Sequence, residues 1–206
     1  MLSVEVFCDS QENCNTYLIT QDQYAIVIDP ANNVKTLKQF LENKILCAVF
    51  LTHGHYDHFK ELEDVLKTYD VKCYLHKKAK DKIFDLDTSY AKYFGCDKLP
   101  YIEDNKFVFL KDNEKLQFAN FYVQILFTPG HTDDSVCYII DNLLFSGDTL
   151  FKGSVGRTDL ATGNIIAQIE SLKKIKNLKQ NYFIYPGHNE FTTLDYEIKN
   201  NYYLKK

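Results

Sequence analysis

The chain has 206 residues, 45% of them hydrophobic and 25% charged, an ordinary composition for a globular domain with a sizeable core. Its net charge of −4 argues against the basic footprint of a nucleic-acid-binding protein, and its apolar runs are too short to span a membrane. The first residues lack the basic start and apolar stretch of a signal peptide. We therefore expect a single domain over residues 1–206, located in the cytoplasm, that binds neither nucleic acid nor membranes.

Strand-like and helix-like segments alternate after a strand-rich start. Runs of β-branched and aromatic residues predict strands, and apolar residues three or four apart predict helices. The predicted strands are Val4–Cys8, Asn15–Thr20, Tyr24–Asp29, Ile45–Leu51, Val71–Leu75, Lys106–Leu110, Lys115–Phe118, Phe121–Phe127, Cys137–Ile140, Leu143–Phe145 and Tyr182–Tyr185. The predicted helices span 34–41, 62–69, 165–175 and 195–203. This order predicts an α/β protein with sheets inside and helices outside.

Six cysteines are scattered along the chain without a C-x-x-C pair. They are Cys8, Cys14, Cys47, Cys73, Cys96 and Cys137. Because several lie in apolar runs, we expect buried, reduced thiols, as in a cytoplasmic protein. The alternative, a disulfide or a sulfur-ligand site, has no support in their spacing.

Four predicted strands run directly into loops that carry histidine or aspartate. The loops are Thr52–His58, Thr128–Thr132, Ser146–Thr149 and Pro186–His188. Ligands of helix-covered sheets bind at loops beyond the strand ends, so these loops are expected to meet at one rim. Each loop contains a glycine, which permits the tight turns that this requires.

Five of the six histidines lie in these loops. In an extended segment His53 and His55 point the same way, whereas Asp57 and His58 turn to the other side, so this stretch can serve two metal ions. Imidazole nitrogen and carboxylate oxygen suit zinc, and also iron or manganese. Ordinary strand-end histidines would explain any one of these residues, but not the set. Since no cysteine lies in the loops, a thiolate-rich structural site is not expected.

The sixth histidine, His76, lies away from any glycine turn and is expected to be structural or exposed to solvent. It opens the segment 76–100, which is predicted as a helical beginning followed by a polar, aromatic loop. This segment either closes over the site or lies apart from it.

The run from Thr52 to His58 resembles the H-x-H-x-D-H signature of the metallo-β-lactamase superfamily. His131, Asp148 and His188 follow in the order and spacing of its remaining metal motifs, and the resemblance covers nearly the whole chain. It implies a four-layer αββα sandwich with two metal ions, expected to be zinc, at its rim.

The resemblance also implies a role for each site residue. The implied ligands are His53, His55 and His131 for one ion, Asp57, His58 and His188 for the other, and Asp148 as the bridge between them. Asp29 resembles the family's aspartate that orients a ligand histidine.

Within the superfamily the chain is most similar to the glyoxalase II-like hydrolases. The similar stretches are Thr128–Thr132, Ser146–Phe151, Gly153–Asp159 and Pro186–His188, followed by Thr192, Thr193 and Glu197. Asp148 argues against antibiotic hydrolysis, because true β-lactamases lack the bridging aspartate. Three departures weaken the glutathione specificity: Phe59-Lys60-Glu61 replaces Gly-Gly, Asp133-Asp134 replaces Pro-Gly, and only eighteen residues follow His188, where glyoxalase II has a helical glutathione-binding region.

The resemblance implies a binuclear hydrolase, in which a metal-bridging hydroxide attacks the acyl carbon of an acyl-thiol conjugate. Asp57 and Asp148 are the expected catalytic carboxylates. Arg157, Lys152 and Tyr56 are candidate substrate contacts, although Arg157 can instead pair with Asp159 and brace the loop.

Three other functions are considered beside the thioesterase. They are a persulfide dioxygenase with one iron, a hydrolase of another ester or of phosphodiesters, and a metal-binding module without activity. The complete ligand set argues against the last of these, and the acidic balance argues against RNA as a substrate. The sequence leaves the oligomeric state open.

Overall fold

In a computed structural model, which describes residues 2–8, 13–32 and 34–205, the chain forms two sheets flanked by helices. The strands are β1 (Leu2–Cys8), β2 (Asn15–Gln21), β3 (Tyr24–Ile28), β4 (Ile45–Phe50), β5 (Cys73–Leu75), β6 (Phe107–Phe109), β7 (Lys115–Phe118), β8 (Phe121–Phe127), β9 (Val136–Ile140), β10 (Leu143–Gly147), β11 (Leu150–Phe151), β12 (Ser154–Val155), β13 (Phe183–Pro186) and β14 (Thr192–Thr193). The helices are α1 (Val34–Phe40), α2 (Tyr56–Phe59), α3 (Leu62–Thr68), α4 (Lys77–Ile83), α5 (Ile165–Lys176) and α6 (Leu194–Asn200), with 3₁₀ turns at Ala91–Phe94 and Asp104–Lys106.

The two large sheets have six strands each. Their orders are β1-β2-β3-β4-β5-β6 and β14-β13-β10-β9-β8-β7, and β11 and β12 form a separate hairpin. The strands from β3 to β6 are parallel, as are β10 and β13. Because parallel strands finish at the same edge of a sheet, the loops after β3 and β4 lie together, and so do the loops after β10 and β13.

Alternation along the strands divides the apolar side chains among three cores. Leu18 of β2 packs towards α1–α4, whereas its neighbours Tyr17 and Ile19 face the second sheet. Phe50 and Tyr138 meet between the sheets with ring centroids 5.0 Å apart. The third core packs the far side of the second sheet against α5 and α6. The layers are therefore helix, sheet, sheet and helix, which confirms the predicted four-layer αββα sandwich.

The predicted strands and helices are present, with ends displaced by a few residues. The last helix ends at Asn200 rather than Tyr203, because Asn201 takes an extended conformation and its side chain turns back to Glu197. The sequence did not predict α2, the hairpin of β11 and β12, or β14. Among the described residues, none of the helices has the length and apolar character needed to cross a lipid bilayer.

All six cysteines carry thiols rather than disulfides, but the expectation that they are buried is wrong for three of them. The buried ones are Cys14, Cys73 and Cys137, whereas Cys8 is exposed and Cys47 and Cys96 are half-buried. Cys8 ends the edge strand β1, and Cys96 lies in a loop, so no complete layer covers either thiol.

Candidate metal centre

The four loops meet at one edge of the sandwich, between the two sheets. Backbone hydrogen bonds join them across the seam: the N–H of Val136 donates to Thr52 O, and the N–H of Asn15 donates to Gly187 O, both at 2.8 Å. The N–H of Gly187 donates to Gly147 O, also at 2.8 Å. Three of the four loops are therefore held together at this edge by backbone hydrogen bonds. The predicted convergence is present.

His53, His55 and His131 place their ring nitrogens together. His55 Nδ1 lies 3.1 Å from the Nε2 atom of each of the other two rings. Burial and the neighbouring His131 lower the pKa of His55 to about 3, so its ring is neutral and has a lone pair to offer a cation. The three nitrogens lie within 4.8 Å of one another and can hold one metal ion.

Asp57, His58 and His188 form a second cluster. Asp57 Oδ2 lies 3.2 Å from His188 Nε2 and 3.7 Å from His58 Nε2. Burial opposes a charge on Asp57, but His58 and His188 lower its pKa, so the carboxylate is anionic. These three side chains can hold a second ion, and the Cys14 sulfur belongs to the same cluster.

Asp148 lies between the clusters. Its Oδ1 is 3.4 Å from His58 Nε2, and its Oδ2 is 3.5 Å from His131 Nε2. Burial opposes a charge here as well, but His58 and His188 outweigh it and lower the pKa of Asp148 below the ordinary range. Because its oxygens face histidines of both clusters, this carboxylate is placed to bridge two ions.

Two features show that the centre fits a bound cation. Within the described part of the chain, the buried atoms His58 Nε2 and Asp148 Oδ1 have no hydrogen-bond partner. A buried polar atom left in this way costs about 1–3 kcal/mol, unless a cation takes up its lone pair. Gly187 keeps the space clear, since a Cβ there would lie 2.2 Å from Asp148 Oδ1 and 2.6 Å from His58 Cε1.

Hydrogen bonds from behind orient the histidines. His58 Nδ1 donates to Asp29 Oδ2 at 2.9 Å, and Asp29 also accepts from the backbone N–H and the hydroxyl of Thr52. His131 Nδ1 donates to the carbonyl of Arg157 at 2.8 Å, and His188 Nδ1 donates to the carbonyl of Asn13 at 3.0 Å. Each bond fixes the tautomer that leaves Nε2 free for a metal ion.

A cavity of about 290 Å³ opens over the centre. Its floor contains His55, Asp57, His131 and Asp148, and its walls are formed by Tyr90, Tyr93, Phe94, Arg157 and Leu160. The ring of Tyr90 lies 5.2 Å from that of His55, and its hydroxyl accepts a hydrogen bond from Ala161 N–H at 2.8 Å. The segment 76–100 therefore supplies one aromatic wall of the cavity.

The three candidate substrate contacts are placed differently. Arg157 lines the cavity and pairs with Asp159 through two bonds of 2.7 Å. Tyr56 and Lys152 are not among the lining residues. Tyr56 packs against the core between the first sheet and α1–α4, and Lys152 Nζ pairs with Glu190 at 2.8 Å.

His76 has a structural role, as expected. Its Nδ1 accepts a hydrogen bond from the N–H of Lys78 at 3.2 Å and so caps α4. Its ring packs on Phe127 with the centroids 4.6 Å apart. The half-buried ring therefore fixes the start of the segment that reaches the cavity wall.

Sequence reasoning missed Cys14 and the aromatic wall. Cys14 lies outside the four loops and reaches the centre because it forms an isolated antiparallel bridge with His188. Tyr90, Tyr93 and Phe94 reach the cavity from a loop and the 3₁₀ turn that follows it, in a segment with no apolar periodicity. The aromatic character of that segment was the only local signal.

The ordered ligand motifs at the rim of an αββα sandwich define the class of protein. The family model of the metallo-beta-lactamase superfamily matches residues 10–188, and the chain belongs to that superfamily of metal-dependent hydrolases.

Similar proteins cover almost the whole chain. "Probable metallo-hydrolase YqgX" of Bacillus subtilis is 30% identical over 196 residues, which are 92% of each chain. "Hydroxyacylglutathione hydrolase GloC" of Haemophilus influenzae is 30% identical over 200 residues, covering 94% of this chain and 93% of that one. Among solved structures, the BLEG-1 B3 metallo-beta-lactamase has a TM-score of 0.90 at 28% identity and covers 100% of both chains. TTHA1623 in a di-iron-bound form has a TM-score of 0.86 at 29% identity, covering 98% of this chain and 100% of that one.

Proposed function

We propose that this hydrolase is a binuclear thioesterase of the glyoxalase II type. The observation that carries the proposal is the pair of ligand clusters, joined by Asp148, at the floor of an aromatic cavity. The proposed ligands are His53, His55 and His131 for the first ion, Asp57, His58 and His188 for the second, and Asp148 for both. Zinc is the proposed metal, and the di-iron form of TTHA1623 makes iron the first alternative.

The proposed ions and three aspartates of the site would have separate roles in hydrolysis. Metal ions bound here would lower the pKa of water from about 15.7 to about 7 and so supply hydroxide at neutral pH. Asp57 lines the cavity as a carboxylate and can orient the attacking water by accepting its hydrogen bond. Asp148 places its negative charge between the clusters, and Asp29 keeps His58 in the tautomer that the site needs.

The walls of the cavity favour a small acyl group on an anionic carrier. Tyr90 and Phe94 offer apolar faces to the acyl chain, and Arg157, which pairs with the exposed Asp159, brings a guanidinium group to the cavity. A thiolate leaves readily, so no side chain is needed to protonate the leaving group. The similarity to GloC supports a hydroxyacyl-thiol as the substrate. We place the protein in the cytoplasm, where its six thiols would stay reduced.

The test is hydrolysis of S-lactoylglutathione by zinc-loaded protein. We expect turnover that a chelator abolishes and zinc restores. In Asp148→Ala, metal content and activity should fall together, by more than the roughly 10–100-fold cost of removing an outer partner of a metal ligand. No turnover by protein that holds two metals per chain would contradict the proposed substrate, and an active Asp148→Ala would contradict the proposed centre.

Two other activities are tested on the same protein. The similarity to a B3 metallo-beta-lactamase favours a trial of β-lactam hydrolysis, which Asp148 is expected to disfavour. A persulfide dioxygenase would require iron and would consume oxygen. Oxygen uptake by iron-loaded protein, or turnover of a chromogenic cephalosporin by zinc-loaded protein, would replace the thioesterase proposal.

A further inference from the structure

Cys14 brings a sulfur atom to the metal centre from outside the ligand loops. Its side chain is fully buried, and its Sγ lies within 4.8 Å of a ligand atom of each of Asp57, His58 and His188. Backbone and side-chain hydrogen bonds fix the residues around it. The backbone of Cys14 forms an isolated β-bridge with that of His188, and the side chain of Asn15 donates to Pro186 O at 3.1 Å and to Asn189 O at 2.9 Å. The sulfur is therefore held at the centre by the seam between the sheets.

A second observation points to a ligand at this place. His58 is fully buried, and within the described residues its Nε2 has no hydrogen-bond partner. Nε2 lies 3.7 Å from Oδ2 of Asp57, which belongs to the same cluster as the sulfur, while Nδ1 is occupied by Asp29. An unpaired nitrogen, a carboxylate and a thiol around one point are the donor set of a transition-metal ion.

We propose that Cys14 is a thiolate ligand of the ion held by Asp57, His58 and His188. The inference rests on the metal centre proposed above and adds a sulfur to it. When the ion binds, the thiol releases its proton to solvent and a sulfur–metal bond forms, without any change of oxidation state. Thiolate favours zinc over manganese, so Cys14 makes the second site selective for zinc.

Cobalt substitution tests the sulfur ligand directly. Metal-depleted protein loaded with two equivalents of Co²⁺ should show a thiolate-to-cobalt charge-transfer band in the near ultraviolet. Cys14→Ala should lose that band and keep the visible cobalt bands. The matched control is Cys73→Ala. It removes an equally buried sulfur from the core between the first sheet and α1–α4, and it should keep the band.

The possible results separate the two proposals. Two bound cobalt ions without the band, or a band that persists in Cys14→Ala, would overturn the sulfur ligand and leave the centre intact. Failure of the wild-type chain to bind cobalt would overturn the centre and this inference with it. Cys14→Ala should also lower the ratio of zinc affinity to manganese affinity by about tenfold or more. Even the loss of an outer partner of a metal ligand costs about 10–100-fold in metal affinity, so the loss of a direct ligand should cost at least as much.

X-ray absorption on zinc-loaded wild-type protein requires no variant. A sulfur scatterer at about 2.3 Å supports the proposal, whereas nitrogen and oxygen scatterers alone, at about 2.0–2.2 Å, contradict it. The result stands even if Cys14→Ala does not fold.

Discussion

Lys82 and Asp134 form a buried ion pair directly behind the first histidine cluster. Asp134 Oδ2 accepts the N–H of Gly54, between His53 and His55, at 2.7 Å. Asp133 joins the network through Lys78 and Lys82, each at 2.8 Å. These are the two aspartates that stand where many glyoxalase II-like relatives carry Pro-Gly, and here they brace the turn that carries the histidines.

The charge of Asp133 is expected to stabilise the fold only above acidic pH. Burial opposes the charge, but Lys78 and Lys82 lower the pKa of Asp133 from 3.8 to about 2. A carboxyl whose pKa falls on folding contributes stability above its unfolded pKa and loses that contribution as pH falls through the folded value. Asp133→Asn should therefore lower the free energy of unfolding at pH 7 by on the order of 1 kcal/mol, since solvent screens this partly exposed side chain.

Urea unfolding of metal-free protein measures this effect. The difference between wild type and Asp133→Asn should shrink as the pH falls from 3.8 towards 2, because a protonated aspartate is neutral like asparagine. A difference that stays constant over this range would contradict the assigned ion pair.

The residues that the sequence predicted are those whose chemistry is local. His53 to His58 follow one apolar strand, and His131, Asp148 and His188 each follow another, so periodicity and loop composition were sufficient to place them at one edge. Cys14 was missed because its position depends on pairing with His188, far along the chain. The assignment of Lys152 as a rim residue did not anticipate Glu190, which pairs with it at the surface.

At the scale of elements, the loop after β13 must approach the centre without a side chain at Gly187. Gly187→Ala would place a Cβ 2.2 Å from Asp148 Oδ1 and 2.6 Å from His58 Cε1. These two proposed ligands must move, so we expect the variant to fold but to lose at least one of the proposed ions. Metal analysis after gel filtration measures this.

Gly153→Ala, in the turn between β11 and β12, is the control for an added methyl group on a glycine. An added Cβ there meets nothing within 4 Å, but the residue has a φ of 71°. Its cost should be about 1–2 kcal/mol of stability, from left-handed strain, with unchanged metal content. Equal metal content in both variants would show that the space at Gly187 is not needed by the ligands.

The segment between α4 and β6 supplies the aromatic wall, so its side chains should affect substrate binding more than chemistry. Phe94→Ala is expected to raise KM for the thioester by about two- to tenfold, since an aromatic contact contributes roughly 0.5–1.5 kcal/mol. The value of kcat should change less, because Phe94 lines the cavity outside the ligand clusters. Tyr101→Ala removes a largely exposed ring outside this cavity and is the control. A fall in kcat with unchanged KM would contradict this role.

Only part of the segment that forms this wall could be predicted from the sequence. The helical beginning of the segment 76–100 was predicted and is α4, because Ala79 and Ile83 pack on the first sheet. The path of the following loop was not predicted, since it depends on contacts such as the Tyr90 hydroxyl with Ala161 N–H. Such contacts join residues far apart in the chain, and no local sequence pattern predicts them.

For the molecule as a whole, the proposed ions would bind the folded state alone, because their ligands come from both sheets. Two ions, each present at about a hundred times its Kd, would stabilise the fold by about 5 kcal/mol. For a chain of this length, that corresponds to a fall in Tm of about 10–20 °C on chelation. Calorimetry before and after chelation, and again after zinc is restored, measures it. An unchanged Tm in protein shown to have lost its metal would contradict the coupling.

The distribution of ligands along the chain also sets the order in which a newly made molecule can mature. His53 and His55 leave the ribosome early, but the first cluster stays incomplete until His131 has followed, and the second until His188 has done so. Since β10 and β13 pair in parallel, the second sheet must also wait for β13 to be synthesised. Binding of the proposed ions would thus be deferred until His188 has been synthesised, and the nascent chain must reach that point without the stability that they would add.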